Sequence, residues 1–503
     1  MEIWSLLLLS SFIIILLIKV CKKLPNKTTP EKYQKLPPSP PKLPIIGHLH
    51  HLMGRGMLHE ALRLVSRKHG PIVHLQIGQA SLVVISSPQA AKEAMVIQDP
   101  ACADRPKSLC TQIIWYDHMD IIFGTYGEHW RQMRKILVME FLSTKNVKSF
   151  GSIRQVEVTR LLESLSDRGH RVVDLRDAIL GYTSAVVCRA AFGRMIKGDG
   201  SLERTLNEAM GMTGAFELAD LFPSVEWLRR VSWNRRRLLN MRGRLDAVLD
   251  GFVEEHKLKL GGEFGGEDIV DVLLRMQKSD DLKIPITDDN IKAIIFDIFS
   301  AGVETTSSTL DMAMAEMMRN PDVMAKLQSE IREAFKGKKK VEERDVELLK
   351  YLKCVIKETL RLHPPATIIP RSCRDECKIG GYSIPIGSKV LLNIWSIGRD
   401  PEYWPEPESF KPERFENNSC FDFLGDNFEF IPFGAGRRIC PGMNFGYSNI
   451  ELPLAQLLYH FDWEMPKGMT PDDIDMTERE GLAVSRKNGL FLVPIPYGPS
   501  FQN

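Results

Sequence analysis

Ten residues near the carboxyl end, Phe433-Gly434-Ala435-Gly436-Arg437-Arg438-Ile439-Cys440-Pro441-Gly442, set the terms for the rest of this chain. The glycines at 434, 436 and 442 permit backbone angles and close approaches that a Cβ would block, so peptide N–H groups can turn toward the Cys440 sulfur. Donors so placed stabilise a thiolate, the form in which cysteine ligates iron. Arg438, two residues away, offers a fixed positive charge to an anionic group on the same ligand. A lone cysteine is ordinarily a small buried hydrophobe. The spacing Phe433-x-x-Gly436-x-Arg438-x-Cys440-x-Gly442 reads instead as a metal–thiolate loop.

The chain around this loop shows no internal repeat, second composition regime or long low-complexity linker after its first fifty residues. One large domain is expected, despite a length of 503 residues that could hold three. A formal net charge of +2 gives no argument for nucleic acid. Nine cysteines at positions 21, 102, 110, 188, 354, 373, 377, 420 and 440 form no paired framework, which suits a reducing compartment. Cys373-x-x-x-Cys377 is the only close pair; two sulfurs do not complete a zinc site, so both read as structural.

At the amino end, Ile3 to Val20 is an apolar run broken only by serines and Lys19. At about 1.5 Å per residue it reaches roughly 27 Å, near the thickness of a reticulum bilayer. Glu2 precedes the run and Lys19, Lys22, Lys23 and Lys27 follow, which favours a retained anchor with the remaining chain on the cytoplasmic side. Residues 1–24 are thus expected to be a transmembrane anchor with a basic flank. Residues 25–47 form a polar tether and a proline-rich, semi-rigid hinge, Pro37 to Gly47, and residues 48–503 the globular domain. The sequons at Asn26 and Asn417 are expected to be unglycosylated on that side of the membrane.

Within the globular part, Ile72–Gly78 and Leu82–Ser86 flank Gly78-Gln79-Ala80-Ser81 as a hairpin signal. From about Pro88 helical periodicity dominates, with short strands near Lys378–Val390 and Leu490–Val493, so the fold class is mainly α with small β-sheets. Gly261–Glu267 is a flexible loop without chemistry. Trp227–Arg237 is basic and aromatic, suiting either a membrane surface or a solvated helix end. Asp288–Met318 lacks proline and reads as one long helix capped by Thr287 and followed by Pro321. Within it lies Ala301-Gly302-Val303-Glu304-Thr305-Thr306, whose small pair leaves room for a flat group. Its hydroxyls could equally bond back to the preceding turn.

The cysteine loop resembles the haem-binding loop of the cytochrome P-450 family, and four further motifs agree in order. The hexapeptide at 301–306 is similar to the oxygen-activating motif of that family. Trp130-Arg131-Gln132-Met133-Arg134, Glu358-Thr359-Leu360-Arg361 and Pro412-Glu413-Arg414-Phe415 match its other signatures. The resemblance implies a cytochrome P-450 fold carrying haem b (iron protoporphyrin IX), with Cys440 as axial metal ligand and Phe433 and Gly442 in the cofactor loop. It implies that Trp130, Arg134, Arg371 and Arg438 meet the propionates and that Glu304 and Thr305 relay protons. It also implies that Glu358, Arg361 and Arg414 form a structural salt-bridge network.

Lacking a Gly-x-Gly-x-x-Gly after a strand, the chain has no site of its own for NADPH or flavin. The resemblance supplies an NADPH–cytochrome P-450 reductase, docking where Arg131, Lys135 and Arg437 could meet an acidic face. Leu43–His48, Tyr126–Trp130, Gly434–Gly442 and Asp475–Glu478 look like the plant clan containing sesquiterpene and diterpene oxidases, though many members carry Asp at the position of Glu304. This implies a single-pass endoplasmic-reticulum protein with a cytoplasmic catalytic domain. It would insert one oxygen atom of O2 into a lipophilic plant metabolite, foremost a sesquiterpene or diterpene. Ile298, Ala301, Ala366, Ile368, Ile369, Leu482 and Ala483 would supply an apolar substrate wall. Asp117, His118, Asp120 and Asp220 keep open an alkaloid or phenylpropanoid hydroxylase. Glu304-Thr305 argues against an isomerase or dehydratase, and NADPH consumption would separate an enzyme from a haem sensor.

Overall fold

Thirty-two residues from Asp288 to Arg319 form one uninterrupted helix, about 48 Å long, around which the rest of the domain packs. Its start is set locally: the Thr287 hydroxyl accepts from the Asn290 N–H, while the Asn290 side chain accepts from the Thr287 N–H. Pro321 opens the next helix after Asn320. This central helix is buried on nearly every face because the helices Leu175–Phe192, Lys350–Leu362 and Met443–His460 all lie against it. The computed structural model describes residues 35–193, 201–213, 217–258, 267–279, 282–338, 341–416 and 422–497.

The expected hairpin is present as β1 (Ile72–Ile77) and β2 (Ala80–Ile85), antiparallel from Ile72↔Ile85 to Ile77↔Ala80, with Gly78 at φ +58° in the turn. A strand β3 (Ile368–Ser372) precedes the later strand signal, which itself resolves into β4 (Cys377–Ile379), β5 (Tyr382–Ile384) and β6 (Lys389–Asn393). They build a four-stranded sheet in the order β1-β2-β6-β3, with β2 and β6 parallel, and a separate β4–β5 hairpin. The sequence showed no strand at β3, whose middle residue is Pro370; an edge position in the sheet accommodates it. The carboxyl-terminal strand, Phe491–Pro496, pairs with Phe461–Glu464 and with Val173–Asp174. The fold is therefore mainly helical with small sheets.

The proline-rich stretch is hydrogen-bonded to the first strand. The His74 N–H donates to the Pro38 carbonyl at 2.8 Å and the His48 N–H to that of Gln76 at 2.7 Å, fastening it to β1. Among the described residues no helix is long and apolar enough to cross a membrane. The expected anchor, the tether to residue 34, most of the Gly261–Glu267 loop and both sequons lie outside the described residues.

Candidate active site

The cysteine loop is held from both sides. Within it the Cys440 N–H donates to the Phe433 carbonyl at 2.9 Å and the Ile439 N–H to that of Gly436 at 3.0 Å. Outside it the Arg437 N–H donates to Asp99 Oδ2 at 2.8 Å. Gly434 and Gly436 sit at φ +71° and +67°, and a Cβ on Gly436 would lie 1.9 Å from the Met95 carbonyl oxygen. Gly442 differs from the expectation: at φ −92° it makes no unusual turn, and it serves as N-cap of the helix Met443–His460. Burial raises the Cys440 thiol pKa, opposed by a Gly442 backbone hydrogen bond and the Arg134 charge. The start of the following helix adds its dipole in the same sense.

Four guanidinium groups converge beside this loop. Arg371 and Arg438 are buried, and Arg105 and Arg134 complete the set. Burial is the first cause pushing all four pKa values down; for Arg105, Arg371 and Arg438 the like charges of other members follow, Arg371 and Arg438 falling to about 10. Asp99 pairs with Arg371 at 3.5 Å, the charges of Asp104 and Asp120 act on Arg438, and Arg438 donates to the Ala103, Ile121 and Gly124 carbonyls, while Arg371 Nε is buried with no hydrogen-bond partner. Such a set is built for an anion of more than one charge. Arg105, in Asp104-Arg105-Pro106, was missed because it stands in no periodic or glycine-marked motif; its Nε donates to the Ile122 carbonyl at 2.9 Å. Trp130 lies under Arg438, 4.4 Å from ring to guanidinium, but its indole N–H donates to the Ile121 carbonyl at 2.9 Å.

On the central helix the small pair divides its duties. A Cβ on Gly302 would lie 2.9 Å from Val187 Cγ2, so this glycine lets the neighbouring helix approach and does not make room for a flat group. Ala301 is the exposed member, directly after a run buried from Asn290 to Ser300. Thr305, one turn on, donates its hydroxyl to the Ala301 carbonyl at 2.6 Å, the back-bonded arrangement. Glu304 is partly buried, which raises its pKa, and Oε2 accepts from the Ala483 N–H at 3.4 Å. That bond and two others tie the central helix, the segment at Pro365 and the segment 482–484 together: the Val484 N–H donates to the Pro365 carbonyl and the Ser308 hydroxyl to the Val484 carbonyl. The segments holding Ile298 and Ala301, Ala366 to Ile369, and Leu482 and Ala483 are thereby brought together. Ile369 of β3 also reaches the cysteine loop, 3.2 Å from where a Gly434 Cβ would stand.

Two expected acids serve the backbone. Asp120 accepts from the Phe123 N–H, and Asp220 from that of Leu109 at 3.0 Å. Asp297, on the central helix, accepts from the Ile121 N–H at 2.6 Å.

Glu358, Arg361 and Arg414 form a salt-bridge network. Glu358 and Arg361 are fully buried, joined at 2.7 and 2.8 Å, and Arg414 Nε reaches Glu358 at 3.1 Å. The Lys411 N–H adds a donor to Glu358 at 2.7 Å, and Arg361 ties down the carbonyls of Gly398, Pro407 and Ser409. The buried pair thus clamps the helix Lys350–Leu362 to the segment from Gly398 to Arg414.

A cysteine backed by a helix start, with a buried multi-arginine cradle beside it, defines the class of haem-thiolate proteins. A family model described as Cytochrome P450 matches residues 37–493, and the chain belongs to that family. It is similar to cytochrome P450 71D13 of Mentha piperita, 55% identical over 497 residues and covering 98% of both chains. It is 54% identical to cytochrome P450 71D95 of Mentha spicata over 492 residues, again with 98% of each chain covered. Among solved structures, a zebrafish cytochrome P450 with progesterone superposes with a TM-score of 0.75 at 25% identity, covering 87% of this chain and 99% of that one. The protein is a cytochrome P450 monooxygenase: its cofactor is haem with thiolate ligation, its oxidant O2, and its electrons come from a redox partner.

Proposed function

We propose that Cys440 is the haem ligand, that Arg105, Arg134, Arg371 and Arg438 hold the two propionates, and that the enzyme hydroxylates a neutral terpenoid. The observation that carries this reading is the pairing of an anion cradle with an aliphatic wall on the side of Ala301. The bound haem supplies oxygen activation. The chain's own residues do the rest: Glu304, kept protonated more readily by burial, and the Thr305 hydroxyl pass protons toward the face that Ala301 leaves open. Ile298, Ala366, Ile368, Ile369, Leu482 and Ala483 hold an aliphatic skeleton and exclude water. Asp120 and Asp220 each spend an oxygen on loop amides, which favours a neutral substrate over an amine.

The electron donor in this reading is an NADPH–cytochrome P-450 reductase. Arg131 and Arg437 are exposed and share the Tyr126 ring at 5.5 and 5.6 Å, which sets a basic face next to the cysteine loop. Residues 1–24 anchor the chain in the endoplasmic reticulum membrane, residues 25–47 lead into the catalytic domain, and exposed Trp227 and Val231 add a lipid contact. Titration of the holoenzyme with neutral sesquiterpenes and diterpenes is expected to shift the haem to high spin. A response confined to amines or phenolics would overturn the substrate class.

A further inference from the structure

We propose that Cys102, Cys373 and Cys377 form a second metal site that takes one soft monovalent ion of the Cu(I) class in three-coordinate thiolate ligation. Cys373 and Cys377, read from spacing as a structural pair, gain a third sulfur from a residue 275 positions away from Cys377. Cys102 ends a short helix, Cys373 follows β3 and Cys377 opens β4, yet the three Sγ atoms lie within 4.8 Å of one another. The Cys373–Cys377 separation is 3.4 Å and the Cys102–Cys377 separation 3.6 Å.

The trio is preorganised by peptide hydrogen bonds, two that join its two segments and one that ties Cys373 to Ser388. The Arg374 N–H donates to the Ala101 carbonyl at 2.8 Å, the Ser372 N–H to that of Asp104 at 2.7 Å, and the Cys373 N–H to that of Ser388 at 2.9 Å. The three cysteines are 0, 2 and 7% exposed in an apolar cluster with Ile379, Ile384 and Val390, which keeps water out.

Ligand chemistry selects the ion. A planar three-coordinate ion with metal–sulfur bonds of about 2.3 Å wants sulfurs about 4 Å apart, a small adjustment of the observed spacing. Among the described residues no histidine or carboxylate joins the three sulfurs, so the fourth ligand of a structural zinc site and the oxygens of a hard cation are both absent from the group. Each thiol releases its proton to solvent on binding. Arg371, buried two residues before Cys373, lies near enough to Cys102 for their charges to interact, and shares its charge with Asp99. The ion would cross-link the segment leading into Arg105 to the strand carrying Arg371, two arms of the anion cradle.

The test uses the holoenzyme, in which Cys440 is engaged. Titrated anaerobically with Cu(I) against bathocuproine disulfonate, it is expected to retain one Cu(I) per chain. Cys373→Ser and Cys377→Ser are expected to weaken retention by roughly a hundredfold or more, while Cys354→Ser, outside the trio, leaves it unchanged. The thiolate-type ferrous carbonyl spectrum controls for folding, and X-ray absorption at the copper edge of the unsubstituted enzyme reads three sulfur neighbours. Absent stoichiometric retention, retention undiminished in Cys377→Ser, nitrogen or oxygen neighbours, or a native mass lower by the two hydrogens of a disulfide would each overturn the site.

Discussion

Replacing Gly436 by alanine tests how tightly the cysteine loop is built. The new Cβ would lie 1.9 Å from the Met95 carbonyl oxygen and 3.0 Å from Asp99 Oδ2, at a backbone φ of +67°. The left-handed conformation costs about 1–2 kcal/mol for a residue with a Cβ. The overlap with a main-chain oxygen, more than ~1 Å beyond contact, adds about 1–3 kcal/mol because backbone must move. Moving it loosens Asp99, which accepts from the Arg437 N–H and pairs with Arg371, so the loss spreads to the arginine cradle. Gly468→Ala is the control: φ is +87° with nothing within 4 Å, leaving the conformational cost alone. Urea unfolding followed by the ferrous carbonyl spectrum is expected to rank Gly436→Ala well below Gly468→Ala, with a reduced thiolate-type fraction. Equal stability and an undiminished thiolate signal in the two variants would refute the reasoning.

Thr305→Ala is expected to keep consuming NADPH but to divert it to peroxide, and Glu304→Gln to slow turnover, because an amide passes no carboxyl proton; unchanged coupling of NADPH to product contradicts this. Glu358→Ala strands the buried Arg361 guanidinium and is expected to cost about 3–5 kcal/mol, read as a urea midpoint shift. Arg414→Ala, whose side chain is more exposed, is expected to cost less. Burial raises the Asp120 carboxyl to about 7, with Asp297 also raised by burial and by Asp120. A carboxyl raised on folding binds a proton as the chain folds, so its stabilising share is complete below about pH 4 and is lost as pH rises through about 7. Stability should therefore fall across that window, and Asp120→Asn should flatten the slope; parallel curves would count against it.

Features written in a short span of sequence were legible. Thr287 and Pro321 bound the central helix, Gly78 turns the hairpin, and the cysteine loop carries its own glycines. Features made by approach of distant segments were not. Arg105 joins the cradle only when β3 is laid across the sheet, and Cys102 meets Cys373 and Cys377 through the same packing. β3 hid behind Pro370, because period-2 patterning cannot tell an edge strand from a loop when proline interrupts it. Gly302 was read for the space it leaves, whereas its missing Cβ is filled by Val187. The resemblance implies that Trp130 meets a propionate, but which carbonyl its indole N–H meets depends on the loop at Ile121.

The ferrous carbonyl spectrum of Cys440→Ser tests the proposed centre most directly. Loss of the thiolate-type spectrum in this variant, with its retention in Cys373→Ser and Cys377→Ser, is the expected result. A Cys440→Ser enzyme that keeps the thiolate-type spectrum would place the iron on another sulfur and contradict the assignment.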